Sequence, residues 1–241
     1  MSKSFFIDTT KCTACRGCQV ACKQWNQNPA VDTHQQGTHQ NPPDFDFHTF
    51  KLVRFSEVPA PEGLQYLFFP DQCRHCIEPP CKFASDAEVE GAIIVEPDTG
   101  AVLFTEKTAQ VEDFDSVRFA CPYDIPRLDP ATGLMSKCTM CIDRVKNGLL
   151  PACVQVCPTN AMNFGDREDM IKMAEERLAE VKKTFPDASL VDTDEVRVLT
   201  LITHEPERYH EFLSAGLRPV RKTTRQELFA DLRKGLRRAL T

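Results

Sequence analysis

Long apolar runs are missing from this sequence. No stretch of its 241 residues approaches the roughly 20 consecutive apolar residues of a membrane-spanning helix. The opening Met1-Ser-Lys-Ser-Phe-Phe-Ile-Asp8 holds no apolar segment of the length a secretory leader carries. The expectation is a soluble chain without its own export signal. Excess positive charge is missing too: 29 Lys and Arg stand against 35 Asp and Glu, a formal net charge of −6, which argues against a nucleic-acid binder. The charge is uneven. Between Leu217 and Thr241 eight basic residues face only Glu227 and Asp231, so this tail carries +6 and the rest −12. An acidic body of that size can steer a basic partner.

No cysteine occurs beyond Cys157, although the chain has twelve. At about 5% of residues they are too few for a pure disulfide scaffold, and they are clustered. Twelve makes three sets of four. The first run, Cys12-Thr-Ala-Cys15-Arg-Gly-Cys18-Gln-Val-Ala-Cys22, has the spacing C-x2-C-x2-C-x3-C. In that arrangement three thiolates grip one iron–sulfur cubane and the fourth reaches a different one. Thiolate is the soft donor such clusters take, and Thr13, Ala14 and Gly17 are small enough for the backbone to wrap closely. The alternatives are a zinc site or a disulfide framework. Zinc sites usually combine two separate pairs, and four cysteines packed this tightly suit disulfides poorly.

A run whose fourth cysteine serves elsewhere requires partner runs. Cys73-Arg-His-Cys76-Ile-Glu-Pro-Pro-Cys81 is one, but its fourth position is Ser85. Cys121-Pro122 ends another, and counting back by the same spacing reaches Val117, Phe114 and Val111. The last run is Cys138-Thr-Met-Cys141, then Cys153-Val-Gln-Val-Cys157-Pro158. If runs exchange their fourth cysteine, the four missing donors (Ser85, Val111, Phe114 and Val117) belong to a single deleted site. Cys73, Cys76, Cys81 and Cys121 then complete one site, Cys12, Cys15, Cys18 and Cys157 a second, and Cys22, Cys138, Cys141 and Cys153 a third. No cysteine remains over. Lys11, Arg16, Lys23, Arg74, Lys137 and Arg144 lie close to these donors and are candidates for tuning an anionic cluster, with an ordinary surface charge as the alternative for each.

The remaining chain reads as support. Phe5–Asp8, Leu52–Phe55, Tyr66–Phe69 and Val196–Ile202 have strand composition, and the runs around Pro97-Asp98-Thr99-Gly100 make a hairpin. Trp25 to Asp46 reads as a long surface connection whose His34 and His39, with His48 just beyond it, lack ligand spacing. Trp25 is assigned to packing against the cluster lobe in preference to a redox relay, and His75 to a solvent-facing position, with a hydrogen bond near the cluster as the alternative. Asp166 is expected to cap a helix reaching about Lys183, with Asp169 completing a variant capping box. Leu228, Leu232, Leu236 and Leu240 make the tail from Thr224 an amphipathic basic helix, suited to a partner or anionic membrane surface, or simply packed on its own domain.

With these runs in place the chain resembles the electron-transfer subunits of molybdenum and tungsten oxidoreductases. Cys12 to Trp25, Gln72-Cys-Arg-His-Cys76, Ala120-Cys-Pro-Tyr-Asp-Ile-Pro-Arg127 and Cys157-Pro-Thr-Asn-Ala-Met-Asn-Phe-Gly165 resemble the formate dehydrogenase branch. The likeness is greatest to the small subunits of the soluble periplasmic enzymes of sulfate-reducing bacteria, over roughly residues 3 to 205. The resemblance implies an α+β fold of two intertwined ferredoxin-like lobes, with short strands and helices around the clusters and a C-terminal helical extension. Residues 1–30 and 132–165 would form a lobe with two clusters, 31–69 a connecting segment, 70–131 a second lobe with one cluster, and 166–241 a helix, a strand and the basic tail.

The same resemblance implies three [4Fe–4S] clusters, no pterin or tungsten/molybdenum site in this chain, and no catalytic residue. It implies a heterodimer with a large catalytic tungsten- or molybdenum-pterin subunit, and a periplasmic location reached by export with that partner, with a cytoplasmic complex as the alternative. The Cys12/15/18/157 cluster would face the catalytic subunit and the Cys73/76/81/121 cluster would be the exit, toward a soluble multihaem cytochrome c. The same module serving nitrate, thiosulfate, polysulfide or a sulfoxide is the alternative function.

Overall fold

The computed structural model describes residues 2–60 and 63–217. β1 (Lys3–Asp8) leads through one 3-10 turn into the first cysteine loop and α1 (Gly17–Trp25). A connection without regular structure follows, as its polar composition predicts. It ends at β2 (Lys51–Ala60), which pairs antiparallel over its whole length with β3 (Gly63–Gln72). Next come α2 (Pro80–Asp86), β4 (Ile93–Val95), β5 (Val102–Phe104) and α3 (Phe114–Ala120), then the short pair β6 (Arg127–Leu128) and β7 (Met135–Ser136). The chain continues through α4 (Ile142–Lys146), α5 (Ala152–Gln155), β8 (Met162–Asp166), α6 (Arg167–Val181), β9 (Ser189–Val191), β10 (Val198–Ile202) and α7 (Pro206–Tyr209). The basic helix expected from Thr224 lies outside the described residues.

Four strands form one sheet in the order β8-β1-β10-β9, with β1 and β10 parallel and the outer pairs antiparallel. Adjacent residues of β1 point to opposite faces, and both faces are covered. Phe5 packs with Met140, Val154 and Met162 on the side of the cysteine loops. Phe6 packs with Met170, Ala174, Leu199 and Leu201 beneath α6. Truncating either ring to Ala would cost about 3–5 kcal/mol. The ends of the chain's described part are thus joined in one sheet, which carries the first and last cysteine loops on a common face.

α6 forms over the expected range, with Met170, Ala174 and Val181 buried and Leu178 packed against the same core, but its start differs from expectation. Asp166 makes no capping hydrogen bond; its Oδ1 accepts from Lys3 Nζ at 2.8 Å instead. The cross-strand cation competes successfully for the carboxylate, and the helix begins without the expected box.

The β4–β5 hairpin forms around Pro97–Gly100 as composition predicts. Glu96 Oε2 accepts from the Thr99 amide at 2.8 Å and its hydroxyl at 2.7 Å. Gly100 (φ +77°) closes the turn in the left-handed region that favours glycine, and a Cβ there would run into the Arg197 side chain, which would have to move. At the other end of the ribbon, buried Asp71 accepts from Arg54 Nε at 3.0 Å and from Arg74 at 2.6 Å. This ion pair fixes the point where β3 enters the second cysteine loop.

Candidate metal centre

The first C-x-x-C of each of three cysteine runs carries the same backbone feature. Ala14, His75 and Met140, each immediately before the second cysteine, have φ of +53°, +46° and +60°. A non-glycine residue in the left-handed region costs on the order of 1–3 kcal/mol, so recurrence at the equivalent position of three loops marks a geometry the site needs. The effect is to turn amides toward sulfur. The His75 N–H donates to Cys73 Sγ and the Met140 N–H to Cys138 Sγ, both at 3.4 Å, and the Ala14 N–H faces Cys12 in the same way. Curled amides of this kind make a concavity for an anionic group, a nest of the type found at iron–sulfur sites.

The cysteines gather in sets that ignore sequence order. Cys12, Cys15, Cys18 and Cys157 line one cavity. Cys22, Cys138, Cys141 and Cys153 line a second. Cys73, Cys76, Cys81 and Cys121 lie within electrostatic reach of one another. α1 supplies Cys18 and Cys22, α2 supplies Cys81, α5 supplies Cys153, and Cys121 ends α3; the others come from loops. The sets follow one another, because Cys18 and Cys153 couple the first to the second and Cys138 and Cys73 couple the second to the third.

Burial pushes the thiols up: Cys12 to about 11, Cys138 to about 12 and Cys121 to about 11. As bare thiols they would stay protonated, and a metal is what draws a buried thiolate out. Cys157 goes the other way. Partial burial would raise it, but amides of Met162, Thr159 and Ala161 and the Thr159 hydroxyl stabilise its anion and hold it below the usual thiol value.

These residues fit iron–sulfur groups on three counts. All twelve cysteines are free thiols, which removes the disulfide framework. Among the described residues no three Cys, His, Asp or Glu side chains converge as a single-ion site, whereas zinc bonded at about 2.3 Å would draw its sulfurs to about 3.8 Å of one another. Two buried donors beside the cysteines, Gln72 Nε2 and His75 Nε2, have no partner within the protein. Such orphans are rare unless something else accepts from them.

His75 overturns the solvent-facing expectation, being fully buried. Its Nδ1 accepts from the Val102 amide at 3.1 Å, which leaves the proton on the orphaned Nε2 and aims a donor inward. Burial, followed by Lys137 and Arg197, holds its pKa well below the usual histidine value. Trp25 packs on the segment of the last cysteine run while staying half exposed: Arg144 lies 4.1 Å over its ring and Asp143 accepts from its Nε1 at 2.8 Å.

The candidate tuning cations divide. Lys11 is exposed and Lys23 is turned onto the Pro29 and His48 carbonyls. Arg74, Lys137 and Arg144 are buried, and Lys137 stands within reach of both Cys138 and Cys81. Sequence reasoning missed Lys51, buried on β2 far from any cysteine in sequence yet within reach of Cys12, Cys18, Cys22 and Cys153. Its one signal was a lysine immediately before the apolar pair Leu52-Val53 of a strand.

The four positions without donors also come together. Val111 and Val117 are buried in one apolar core with Cys81, and Phe114 packs against it. Ser85, fully buried, turns its hydroxyl to the Lys82 carbonyl at 3.0 Å. Aliphatic and aromatic side chains occupy three of these four positions.

Three nested cysteine sets within a mixed helix-and-strand chain define a ferredoxin-type iron–sulfur protein, and a family model described as a 4Fe-4S dicluster domain matches residues 64–167. The chain is 60% identical over 215 residues to the formate dehydrogenase subunit beta of Megalodesulfovibrio gigas, covering 89% of this chain and 100% of that one. It is 52% identical to the formate dehydrogenase 2 subunit beta (cytochrome c-553) of Nitratidesulfovibrio vulgaris, over 88% of this chain and 98% of the relative. The formate dehydrogenase-O iron-sulfur subunit of Escherichia coli is 40% identical, over 85% and 68%. This chain belongs to the family of iron–sulfur electron-transfer subunits of formate dehydrogenase. No helix among the described residues is long and apolar enough to cross a membrane.

Proposed function

We propose that this chain conducts electrons between the tungsten- or molybdenum-pterin catalytic subunit of a formate dehydrogenase and an external acceptor, through three [4Fe–4S] clusters. Cys12, Cys15, Cys18 and Cys157 would hold the first, Cys22, Cys138, Cys141 and Cys153 the second, and Cys73, Cys76, Cys81 and Cys121 the third. Each cluster supplies a one-electron carrier, so the two electrons of formate oxidation cross singly. The protein's work is to space the carriers, exclude water and set their potentials. One observation carries the reading: the sets form a continuous series, linked by Cys18 with Cys153 and by Cys138 with Cys73. A series with a partner at each end is a relay.

The organisation that goes with this reading is two intertwined ferredoxin-like lobes. Residues 1–30 and 132–165 carry two clusters, 70–131 carry one, 31–69 connect them, and 166–241 form the C-terminal extension. The catalytic subunit docks at the first set, where Cys15 is exposed, and the two chains form a heterodimer in the periplasm. The acceptor at the third set is a soluble multihaem cytochrome c; the cytochrome c-553 in the name of the Nitratidesulfovibrio relative supports a cytochrome as acceptor.

Iron and acid-labile sulfide analysis of the purified complex tests the count. After subtraction of any cluster in the catalytic subunit, about twelve of each per chain are expected. About eight would reduce the relay to two stations, and zinc without sulfide would end it.

A further inference from the structure

The second cavity contains a polar pair that its cysteines do not explain. Lys51 opens β2 and is only 3% exposed; strand register sets it opposite Gln72, the last residue of β3. Its Nζ donates to the Pro70 carbonyl and to Gln72 Oε1, each at 2.8 Å, and to Met162 Sδ at 3.6 Å. Three acceptors use all three N–H bonds of an ammonium, so a cation is held in the interior. Lysine can only donate, so it obliges Gln72 to present its oxygen and thereby fixes where Nε2 goes. That nitrogen is buried without a partner, and both residues line the cavity with Cys22, Cys138, Cys141 and Cys153. Lys51 also stands within electrostatic reach of Cys12 and Cys18, which puts the cation at the junction of the first and second sets.

We propose that Gln72, oriented by Lys51, donates a hydrogen bond to the iron–sulfur group of the second site, and that the pair raises the reduction potential there. This rests on the ligand assignment proposed above. An electron added to an anionic group is stabilised by a nearby donor and a nearby cation. The orphaned amide then has its acceptor, and the interior cation has a counter-charge on either side. The middle station becomes the one that keeps the first electron while the second follows.

The test is a redox titration of the whole catalytic complex followed by paramagnetic resonance, with the second site's signal identified as the one absent from Cys22→Ala. Gln72→Leu is expected to lower the reduction equilibrium constant of that site about tenfold, or about 59 mV for one electron. Gln72→Glu keeps the partner of Lys51 but replaces a donor by an acceptor, and should lower it further. Lys51→Met should lower the second site and, by less, the first, and Lys51→Arg should restore most of the loss. The third site stays where it was throughout. The proposal is overturned if both Gln72 variants titrate like the parent, if all three sites shift together, or if Gln72→Leu loses the signal while Gln72→Glu leaves the midpoint unmoved. Fewer than three signals in the unaltered complex would sink the ligand assignment instead, so the two failures are told apart.

Discussion

Cys18 and Cys22 sit one turn apart on α1 and line different cavities. The helix is a partition, with the Cys12 loop on one side and the Cys138–Cys153 segment on the other. Replacing Cys22 with Ala should therefore abolish the signal of the cluster proposed for Cys22, Cys138, Cys141 and Cys153, and spare the one proposed for its neighbours in sequence. Iron should fall by about four per chain. Loss of the Cys12/15/18 signal alone would reverse the assignment.

Asp71 is a second point of leverage. Burial would raise its pKa, but Arg74 and Arg54 outweigh that and hold it ionised. Arg74 in turn stacks on Phe69 and Tyr123 at 5.0 and 4.9 Å. Asp71→Asn leaves the interior Arg74 guanidinium without its carboxylate, at a cost of about 3–5 kcal/mol, while Arg54 keeps Asp44 at 2.7 Å. Because the pair anchors the entry to Cys73, the third set's signal should be the first to vanish on heating. Simultaneous loss of all three signals would show that the anchor is global rather than local.

Glu96 supplies a pH dependence that is independent of the cysteines. Hydrogen bonds from Thr99, only partly opposed by burial and aided by Lys146, lower its pKa from 4.5 to about 2. A depressed folded-state pKa stabilises above the unfolded value, and the contribution fades as pH falls from 4.5 toward 2. Glu96→Gln should speed exchange of the Thr99 amide about tenfold at pH 6, the size of one good hydrogen bond. The variant-to-parent ratio, in which the intrinsic pH dependence cancels, should approach one near pH 2. A ratio that stays constant across that window would remove the carboxylate from the account.

Much of this was legible in the sequence because metal ligation imposes local spacing. The three sets follow from counting along the Cys12 and Cys138 runs, and the site without donors follows from Ser85, Val111, Phe114 and Val117. The hairpin at Gly100 and the stripe of α6 were equally plain, since turn chemistry and helical period are written in a few neighbouring residues. Lys51, Gln72 and the buried side of His75 were not. Their roles depend on which face of a strand or loop meets a cavity built by distant segments. A lysine in a strand ordinarily signals a wet face, and only the register with Gln72 reveals an interior one. Asp166 shows the converse: its local signal was sound, and a lysine on a neighbouring strand overrode it.

The last prediction concerns the acceptor. Around the third set, Glu78, Glu88, Glu112, Asp113 and Asp115 are exposed, and Glu88 accepts from the amides of Glu112 and Asp113 at 2.9 and 3.3 Å, which draws those carboxylates into one neighbourhood. The cations of the two helices there are already engaged, Lys82 with Asp86 and Arg118 with Asp124. Ile77, one residue from Cys76, and Phe83, two from Cys81, are exposed as well. Exposed carboxylates together with exposed apolar side chains suit a basic protein partner, because long-range charge speeds the encounter while apolar contact excludes water. Reduction of a basic cytochrome c by the complex should then slow about tenfold between low ionic strength and 0.3 M salt, as screening shortens the reach of the field to several ångströms. Charge reversal of Asp115 and Glu112 to Lys should produce a similar slowing at low salt and flatten the salt dependence. A second-order rate indifferent to salt in the unaltered complex would mean that the acceptor docks elsewhere or carries no complementary charge.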